Sequence, residues 1–419
     1  MIKLSVIKTK LSENQGIFEN FLFLSLTQLF NFLYPLITYP YLIKTLGATM
    51  FGSVVFAQSL CSFFSLMIDW GFEATGTKAI SIHRNDKQKL SQIISTIMIT
   101  KFFLWITLFF FFLVMIYFIP FLHQYQLLYI FTFFLTFNEL LLPIWYFQGI
   151  EKMKYITYLT IVIKCIFLIA IFLFIHQPDD YLYVPLLNAI GIFIGGLIAL
   201  FIMIVKHKNN FSFQPISQII LYLKDGLPIF ISNIAVAVKD RFNILFIGTF
   251  LGMTDVAIYD LATKIMNIFM QLIVVANNAI YPKVAKQKNM QFVRQFIYLS
   301  LIGVISLIIL IQPFLPFMLD FLSKGLTGTL LPTEILLLSP IILAVSVPLA
   351  RNCLIVFGLY NFVLKNCFFT TIFYLLLIFG TYILVGFNAV YQFTIIAVLT
   401  YLFEITHRLY FCQKQKFFK

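Results

Sequence analysis

Long apolar stretches recur from one end of this chain to the other, and each is long enough to cross a lipid bilayer as a helix. About 20 predominantly apolar residues in helical conformation span a hydrocarbon core of roughly 30 Å. Of the 419 residues, 61% are hydrophobic and only 11% are charged, whereas soluble domains average about 45–50% and 25%. The pattern predicts an all-α polytopic membrane protein and excludes a soluble enzyme, a singly anchored receptor and a secreted domain.

Breaks at charged residues, proline and glycine divide these stretches into twelve predicted transmembrane helices. They are 17–43, 53–72, 93–119, 126–149, 155–175, 182–204, 226–247, 257–280, 295–319, 331–357, 366–386 and 389–410.

Connections on one side carry 20 Lys and Arg residues, whereas those on the other side carry only Lys44 and Lys324. Because basic connections stay in the cytoplasm, we expect both termini there. The net charge of +13 then reflects topology, and nucleic acid is not an expected partner.

The chain shows a weak internal repeat. A shift of 205 residues places Leu46-Gly47-Ala48-Thr49 over Leu251-Gly252-Met253-Thr254. Six spans per half is an even number, so the two halves enter the membrane in the same direction, as parallel repeats. The predicted organisation is an N-terminal six-helix bundle at 1–210, an interfacial linker helix at 211–225 and a C-terminal six-helix bundle at 226–419.

Five polar residues of the eighth predicted helix fall on one face, which extends about 27 Å at 1.5 Å per residue. They are Asp260, Lys264, Asn267, Gln271 and Asn278. Ionised residues inside a bilayer cost about 2.5–3.5 kcal/mol each on insertion scales, so the stripe predicts the wall of a water-filled cavity. The alternative is a packed interface with interhelical hydrogen bonds, in which Asp260 and Lys264 pair one turn apart.

Cations within the spans slightly outnumber carboxylates, which suits a cavity for a phosphate group because Lys and Arg are the usual phosphate donors. The predicted substrate-binding residues are Lys239, Arg241, Lys264, Asn267, Gln271, Lys101 and Arg351. For Lys239, Asp240 and Arg241, which are consecutive in the seventh helix, the alternative is a self-neutralising cluster. Lys164 and Glu404 are further charged residues within spans, and Lys164 is a possible structural partner of Glu139.

Carboxylates within spans are candidates for binding a coupling ion, since burial and nearby cations shift their proton affinity in opposite directions. We expect this role for Asp69, Asp240 or Glu139, and favour Asp69 because no Lys or Arg lies within one helical turn of it. The alternative is that Asp69 only caps a helix or hydrogen-bonds near its end.

Signatures of catalysis and of cofactor binding are lacking. Gly47 and Gly52 have the spacing of a phosphate-binding loop, but Ser53 replaces the required Lys. The five Cys residues are scattered without a C-x-x-C pair, so neither zinc ligation nor a disulfide framework is expected. We therefore expect a non-enzyme without cofactor or metal.

Several short motifs, in order along both halves, resemble a known family. They are Asn31-Phe32-Leu33-Tyr34-Pro35-Leu36-Ile37-Thr38-Tyr39-Pro40-Tyr41-Leu42, Asp69-Trp70-Gly71-Phe72, Trp145-Tyr146-Phe147-Gln148-Gly149, Gly226-Leu227-Pro228, Tyr259-Asp260-Leu261-Ala262-Thr263-Lys264 and Ala279-Ile280-Tyr281-Pro282-Lys283. The set resembles the bacterial polysaccharide (O-antigen) flippases of the multidrug/oligosaccharidyl-lipid/polysaccharide exporter superfamily.

The resemblance implies two six-helix bundles around a V-shaped central cavity. It also implies transfer of undecaprenyl-pyrophosphate-linked oligosaccharide repeat units from the inner to the outer leaflet of the bacterial cytoplasmic membrane, by ion-coupled alternating access. Polysaccharide polymerase and chain-length machinery are candidate partners. Two alternatives remain, an ion-driven multidrug exporter of the same superfamily and a membrane-embedded glycan polymerase or transferase.

Overall fold

The computed structural model describes residues 2–415 and 417, and it describes side chains from Leu22 onward except at positions 24 and 32. All regular secondary structure in this part of the chain is helical. The α-helices are α1 (Ile2–Asp69), α2 (Phe72–His83), α3 (Lys87–Phe118), α4 (Pro120–His123), α5 (Gln126–Phe133), α6 (Phe137–Leu141), α7 (Ile144–Gly149), α8 (Met153–Phe174), α9 (Tyr183–Phe201), α10 (Ile216–Phe250), α11 (Met253–Gln287), α12 (Met290–Ile311), α13 (Leu315–Ser323), α14 (Leu330–Leu336), α15 (Leu338–Pro348), α16 (Tyr360–Leu384) and α17 (Val390–Lys414). Short π-helical segments follow α9 (Ile202–Lys206) and α15 (Leu349–Ile355).

The described chain contains 11 helical stretches long and apolar enough to cross a membrane. The first, Ser25–His83, has 59 residues and contains the second predicted span and the first one from Ser25 onward. Gly47 interrupts it with a φ of 76°, a left-handed value that glycine adopts without a steric penalty. The structure therefore confirms the prediction of an all-helical polytopic protein with about twelve crossings.

Two compact units divide the chain. One comprises the residues up to Thr38 together with Leu60–Asn233, and the other comprises Tyr39–Ser59 and the chain from Ile234 onward. The core of the first unit includes Phe72, Ile97 and Trp145, each at most 1% exposed.

The repeat motif lies at two equivalent backbone breaks, both within the second unit. Gly252 precedes α11 with a φ of 123°, as Gly47 interrupts α1. The hydroxyls of Thr49 and Thr254 are 2.9 Å apart. A Cβ at Gly52 would lie 1.8 Å from the Met253 carbonyl oxygen, so only glycine permits this close approach.

The region expected to form a separate linker helix, 211–225, has a different structure. Residues 211–215 are not helical, and α10 continues without interruption from Ile216 to Phe250, through Pro228. The sequence-based expectation of a break at Gly226–Pro228 was wrong because a membrane helix can absorb a proline when neighbouring helices accommodate the freed backbone groups. The start of α10 packs on the first unit, where the Trp70 ring stacks on Phe230 with centroids 4.2 Å apart.

The segment before α10 is held on the first unit by hydrogen bonds. Asn209 Nδ2 donates to the Tyr146 hydroxyl at 2.9 Å, and the Ser212 amide donates to Ser95 Oγ at 3.1 Å. The same Tyr146 hydroxyl lies 2.8 Å from His207 Nδ1. Burial, with a contribution from the nearby Lys152 and Lys206 charges, lowers the pKa of His207, which favours the neutral ring in this contact.

Candidate functional site

A cavity of about 350 Å³ lies inside the second unit, among α10, α11, α14 and α17. Three cations and two carboxylates line it, together with amide and hydroxyl side chains. The polar lining residues are Lys239, Asp240, Arg241, Asn243, Tyr259, Asp260, Thr263, Lys264, Asn267 and Tyr401. Charged side chains within membrane helices mark substrate or ion pathways, so this polar cavity is the candidate site.

Lys239 is the cavity cation with the closest carboxylate partner. Its Nζ donates to Glu404 Oε2 at 2.9 Å, lies 3.8 Å from Asp240 Oδ1 and lies 4.9 Å from the centroid of the Tyr401 ring. Glu404 Oε1 in turn lies 2.7 Å from Arg408 Nη2. Lys239 is therefore part of a buried charge network, as the self-neutralising alternative for the seventh helix would require.

Arg241 and Lys264 are less constrained. Arg241 is exposed and forms no ion pair within the part of the chain that the structure describes. The Lys264 side chain is 48% exposed, and its Nζ lies 3.8 Å from Asp260 Oδ1, too far for a hydrogen bond. Asp260 is buried and accepts a hydrogen bond from the Tyr39 hydroxyl at 3.0 Å. Arg241 and Lys264 are thus available to an anion in the cavity.

Asn243 connects the helices around this cavity. Its Nδ2 donates to the Tyr259 hydroxyl at 2.7 Å, and its Oδ1 accepts from the Tyr374 hydroxyl at 2.8 Å. All three side chains are nearly or fully buried, and satisfied polar networks in a low dielectric fix the relative positions of their members. The network therefore positions the cavity segment of α10 against α11 and α16.

Three of the predicted site residues come together in the first unit instead. Lys101 is 1% exposed, and its Nζ donates to Asp69 Oδ1 at 2.9 Å and to the Glu139 carbonyl oxygen at 3.2 Å. The cation beside Glu139 is therefore Lys101. Lys164 donates instead to Asn31 Oδ1. Lys101 does not line the polar cavity, and its ammonium group already has two acceptors.

The argument that favoured Asp69 as the coupling residue was wrong in one respect. It assumed that no cation holds this carboxylate, but Lys101 on α3 does so across 32 residues of sequence. Asp69 also accepts a hydrogen bond from the Glu73 backbone amide at 3.2 Å. Between these two residues the helix is interrupted at Trp70 and Gly71, which have φ values of 49° and 79°. Asp69 therefore hydrogen-bonds near a helix end, as the alternative interpretation proposed.

The polar stripe of the eighth predicted helix only partly coincides with the cavity. Asp260, Lys264 and Asn267 line it, whereas Gln271 and Asn278 are exposed outside it. Arg351 lies in a different cavity of the same unit. No group of three or more His, Cys, Asp or Glu side chains among the described residues is arranged to hold a metal ion.

Sequence reasoning gave no role to several residues of the site. Glu404 was noted only as a charged residue within a span, Tyr39 appeared only within a family motif, and neither Arg408 nor Tyr401 was predicted as a site residue. The spacing of Glu404 and Arg408, one helical turn apart, was a readable sign of an ion pair. Nothing local indicated that Lys239 would join them.

The fold is that of transporters of the MOP superfamily. An inward-facing multidrug resistance MATE family transporter aligns over 90% of this chain and 97% of its own, with a TM-score of 0.67 and 14% identity. A MOP superfamily transporter from Pyrococcus furiosus aligns over 96% of both chains, with a TM-score of 0.64 and 14% identity. The fold and the long apolar helices define a multi-pass membrane protein that shares the fold of these transporters.

Sequence comparison defines the family within that class. The model of the polysaccharide biosynthesis protein family matches residues 17–288. A protein of Escherichia coli (strain K12) named "Putative O-antigen transporter" is 28% identical over 302 residues, covering 70% of this chain and 72% of its own. A protein of the same name from Shigella dysenteriae is 26% identical over 280 residues, covering 65% and 69%. This chain belongs to the polysaccharide biosynthesis protein family.

We expect water to reach the cavity side chains of α11. In a background without native cysteines, Lys264→Cys and Asn267→Cys should react with a water-soluble maleimide added from one side of the membrane, because both positions are exposed and line the cavity. Asp260→Cys should react more slowly because Asp260 is only 6% exposed. Labelling is measured by mass shift in inverted and right-side-out vesicles.

Ile302→Cys is the matched control, because Ile302 is a 60% exposed apolar residue of the membrane helix α12, and a thiol in lipid should stay unreactive. Absence of labelling at both 264 and 267 from either side, in variants that retain activity, would contradict a water-filled cavity.

Proposed function

We propose that this protein is a flippase for undecaprenyl-pyrophosphate-linked oligosaccharide repeat units, which it moves from the inner to the outer leaflet for O-antigen or capsule assembly. The observation that carries the proposal is the pair of cations, Arg241 and Lys264, available in a polar cavity of the second unit. The family and the names of the relatives support a glycolipid substrate. A cavity for cationic drugs would instead be expected to carry an excess of carboxylates.

The pyrophosphate is the part of such a substrate that the cavity suits best. Arg241 offers a planar guanidinium that can donate two parallel hydrogen bonds to phosphate oxygens, and Lys264 offers a mobile point charge. Asn267 adds an amide donor on the next turn of α11. Lys239 contributes positive potential from its site beside Glu404, and contacts the anion less directly because its Nζ already has that acceptor.

Transport in this proposal proceeds by alternating access coupled to an ion gradient. Among the three predicted coupling carboxylates, Asp240 is the one that lines the cavity, with 43% of its side chain exposed. Asp69 is instead held by Lys101, and Glu139 lies beside the same cation. We therefore assign ion binding to Asp240.

The cellular setting follows from the same proposal. The basic connections favour the bacterial cytoplasmic (inner) membrane with both termini in the cytoplasm. A translocated repeat unit is the substrate for polymerisation outside, so the polysaccharide polymerase and chain-length machinery are the proposed partners. The sugar composition of the repeat unit is that of the glycan that the host makes.

A deletion strain of the native host tests the proposal. Loss of the protein should abolish surface glycan and cause lipid-linked repeat units to accumulate in the inner leaflet, and the wild-type gene should restore both. Arg241→Ala should fail to restore them, because losing a hydrogen-bonded charged group costs about 1.5–3 kcal/mol of binding, or roughly 10- to 150-fold in affinity. Arg241→Lys, which keeps the charge, should restore part of the activity.

Arg294→Ala is the control, since it removes the same charge from an exposed position that does not line the cavity. Variants are compared at equal membrane abundance. The proposed site is rejected if Arg241→Ala and Arg294→Ala restore glycan equally. The proposed function is rejected if deletion leaves the distribution of lipid-linked units unchanged.

A further inference from the structure

A second cavity, of about 500 Å³, lies in the second unit where α11, α15, the following π-helical segment and α17 meet. It shares no lining residue with the cavity that contains Arg241. Arg351, Arg408 and Glu404 provide its charged groups, and Val347, Ala350 and Ile355 provide apolar walls. It thus combines cations with a hydrophobic surface.

The two arginines of this cavity differ in how far they are neutralised. Arg408 is 7% exposed and is bound to Glu404 and to Ser346, whose carbonyl and hydroxyl oxygens accept from its Nη1 at 3.0 and 2.8 Å. Arg351 has no ion pair with any residue that the structure describes. Its guanidinium carbon lies 5.2 Å from the centroid of the Tyr281 ring.

Glu404 does not cancel this positive charge. Its two carboxylate oxygens are occupied by Lys239 at 2.9 Å and Arg408 at 2.7 Å, and Asp240 lies 3.8 Å from Lys239, so these four groups together are neutral. Arg351 adds one positive charge that none of them pairs with. An anion entering the cavity therefore meets a net positive surface, and the desolvated walls strengthen its attraction to the guanidinium.

The backbone around Arg351 is also unusual. Residues Leu349–Ile355 form a π-helical segment directly after Pro348. Such segments are rare and occur often at functional sites, where the extra residue in the turn redirects side chains.

The cavity lies near a strongly basic end of the unit. Tyr281 precedes Lys283 on α11, and Lys286, Lys288 and Arg294 follow within the next helical turns and connection. By the distribution of basic residues this is the cytoplasmic side. On this assignment, a phosphate-bearing lipid of the inner leaflet carries its headgroup on the same side of the membrane as this basic end.

We propose that the cavity at Arg351 binds the phosphate group of an amphiphile, with the apolar part of the ligand against Val347, Ala350 and Ile355. Two sources supply this chemistry, an anionic phospholipid of the bilayer and the polyprenyl-pyrophosphate part of the cargo. The second source rests on the function proposed above, whereas the first does not. The Arg351 guanidinium donates hydrogen bonds to phosphate oxygens, and the Tyr281 ring contacts the guanidinium at a centroid distance of 5.2 Å.

Binding to the purified full-length protein in neutral detergent micelles tests this site. The probes are phosphatidylglycerol, farnesyl pyrophosphate and, as a comparison without a phosphate group, diacylglycerol, with bound lipid measured by native mass spectrometry. Arg351→Gln should weaken binding of at least one anionic probe roughly tenfold, as expected for losing a hydrogen-bonded charge. Arg351→Lys should lose less, and diacylglycerol binding should not change.

Arg294→Gln is the matched control, because Arg294 is an exposed arginine whose guanidinium carbon lies 5.7 Å from the Tyr298 ring centroid, outside the cavity. Ala350→Leu, which fills the cavity and keeps Arg351, is the second variant and should weaken binding of the same probe. Weakened binding of phosphatidylglycerol alone identifies a bilayer-lipid site, and weakened binding of farnesyl pyrophosphate alone identifies a cargo site.

Unchanged binding of both anionic probes to Arg351→Gln and Ala350→Leu overturns the proposal, as does an equal loss in Arg294→Gln. Arg241→Ala in the same assay separates this result from the proposed function. If Arg241→Ala retains farnesyl pyrophosphate affinity while Arg351→Gln loses phosphatidylglycerol, the flippase site fails and the second site stands.

Discussion

Replacing Glu404 with glutamine is expected to lower the free energy of unfolding of this protein by about 3–5 kcal/mol, the usual cost of removing one partner from a buried ion pair. The side chains of Lys239, Glu404 and Arg408 are 13%, 7% and 8% exposed. Glutamine keeps the size of the side chain but leaves Arg408 without a carboxylate partner and leaves Lys239 with Asp240 alone, at 3.8 Å. The effect is measured by equilibrium unfolding in mixed micelles.

A double variant separates charge from packing. The protein with both Lys239→Gln and Glu404→Gln should be destabilised by less than the sum of the single changes. The reason is that the first change removes Lys239, one of the two cations that lose Glu404 as a partner. Glu151→Gln is the control for carboxylate removal, since Glu151 pairs with Arg84 at 2.9 Å with side chains 62% and 47% exposed. Such surface pairs contribute about 0–1 kcal/mol. Equal losses for Glu404→Gln and Glu151→Gln would contradict the buried network.

Replacing Lys101 with methionine is expected to have a comparable effect in the first unit, again about 3–5 kcal/mol. The change leaves the buried Asp69 carboxylate unpaired and removes the donor to the Glu139 carbonyl oxygen. Adding Asp69→Asn should recover part of the loss, because it removes the uncompensated charge. Lys87→Met, an exposed position on the same helix, should change stability little.

Variants of Asp69 and Asp240 test which carboxylate couples transport to an ion gradient. In reconstituted vesicles, we expect Asp69→Asn to lower stability while the remaining transport keeps its dependence on the pH gradient. Asp240→Asn should bind substrate but lose that dependence. The opposite result, with gradient dependence lost only in Asp69→Asn, would return the coupling site to the first unit.

The fold class was predictable because its signal is local. A run such as 257–280 is apolar over the length of a bilayer, and the bilayer admits few ways to satisfy its backbone other than a helix. The stripe on that helix was also readable, because residues at helical spacing share a face whatever surrounds them. The lining of one cavity by Asp260, Lys264 and Asn267 agrees with that reading.

Element boundaries and local breaks were less predictable. Pro228 suggested the start of a helix, but α10 passes through it. Conversely, 53–72 was predicted as one uninterrupted span, whereas Trp70 and Gly71 interrupt the helix near its end with left-handed φ values. In both cases packing against neighbouring segments decided the backbone conformation, and a single residue type does not report such packing.

By itself, the sequence determined the membrane environment of this protein, its helical class, the predicted orientation of its basic connections and the faces on which its polar residues lie. Only the tertiary structure decided which charges remain available. Lys239 and Arg241 look equivalent in the sequence, yet Glu404, 165 residues away, forms an ion pair with the first and no described carboxylate forms an ion pair with the second. Partners of this kind depend on how helices rotate and pack against each other, and helical periodicity specifies a face without specifying what lies opposite.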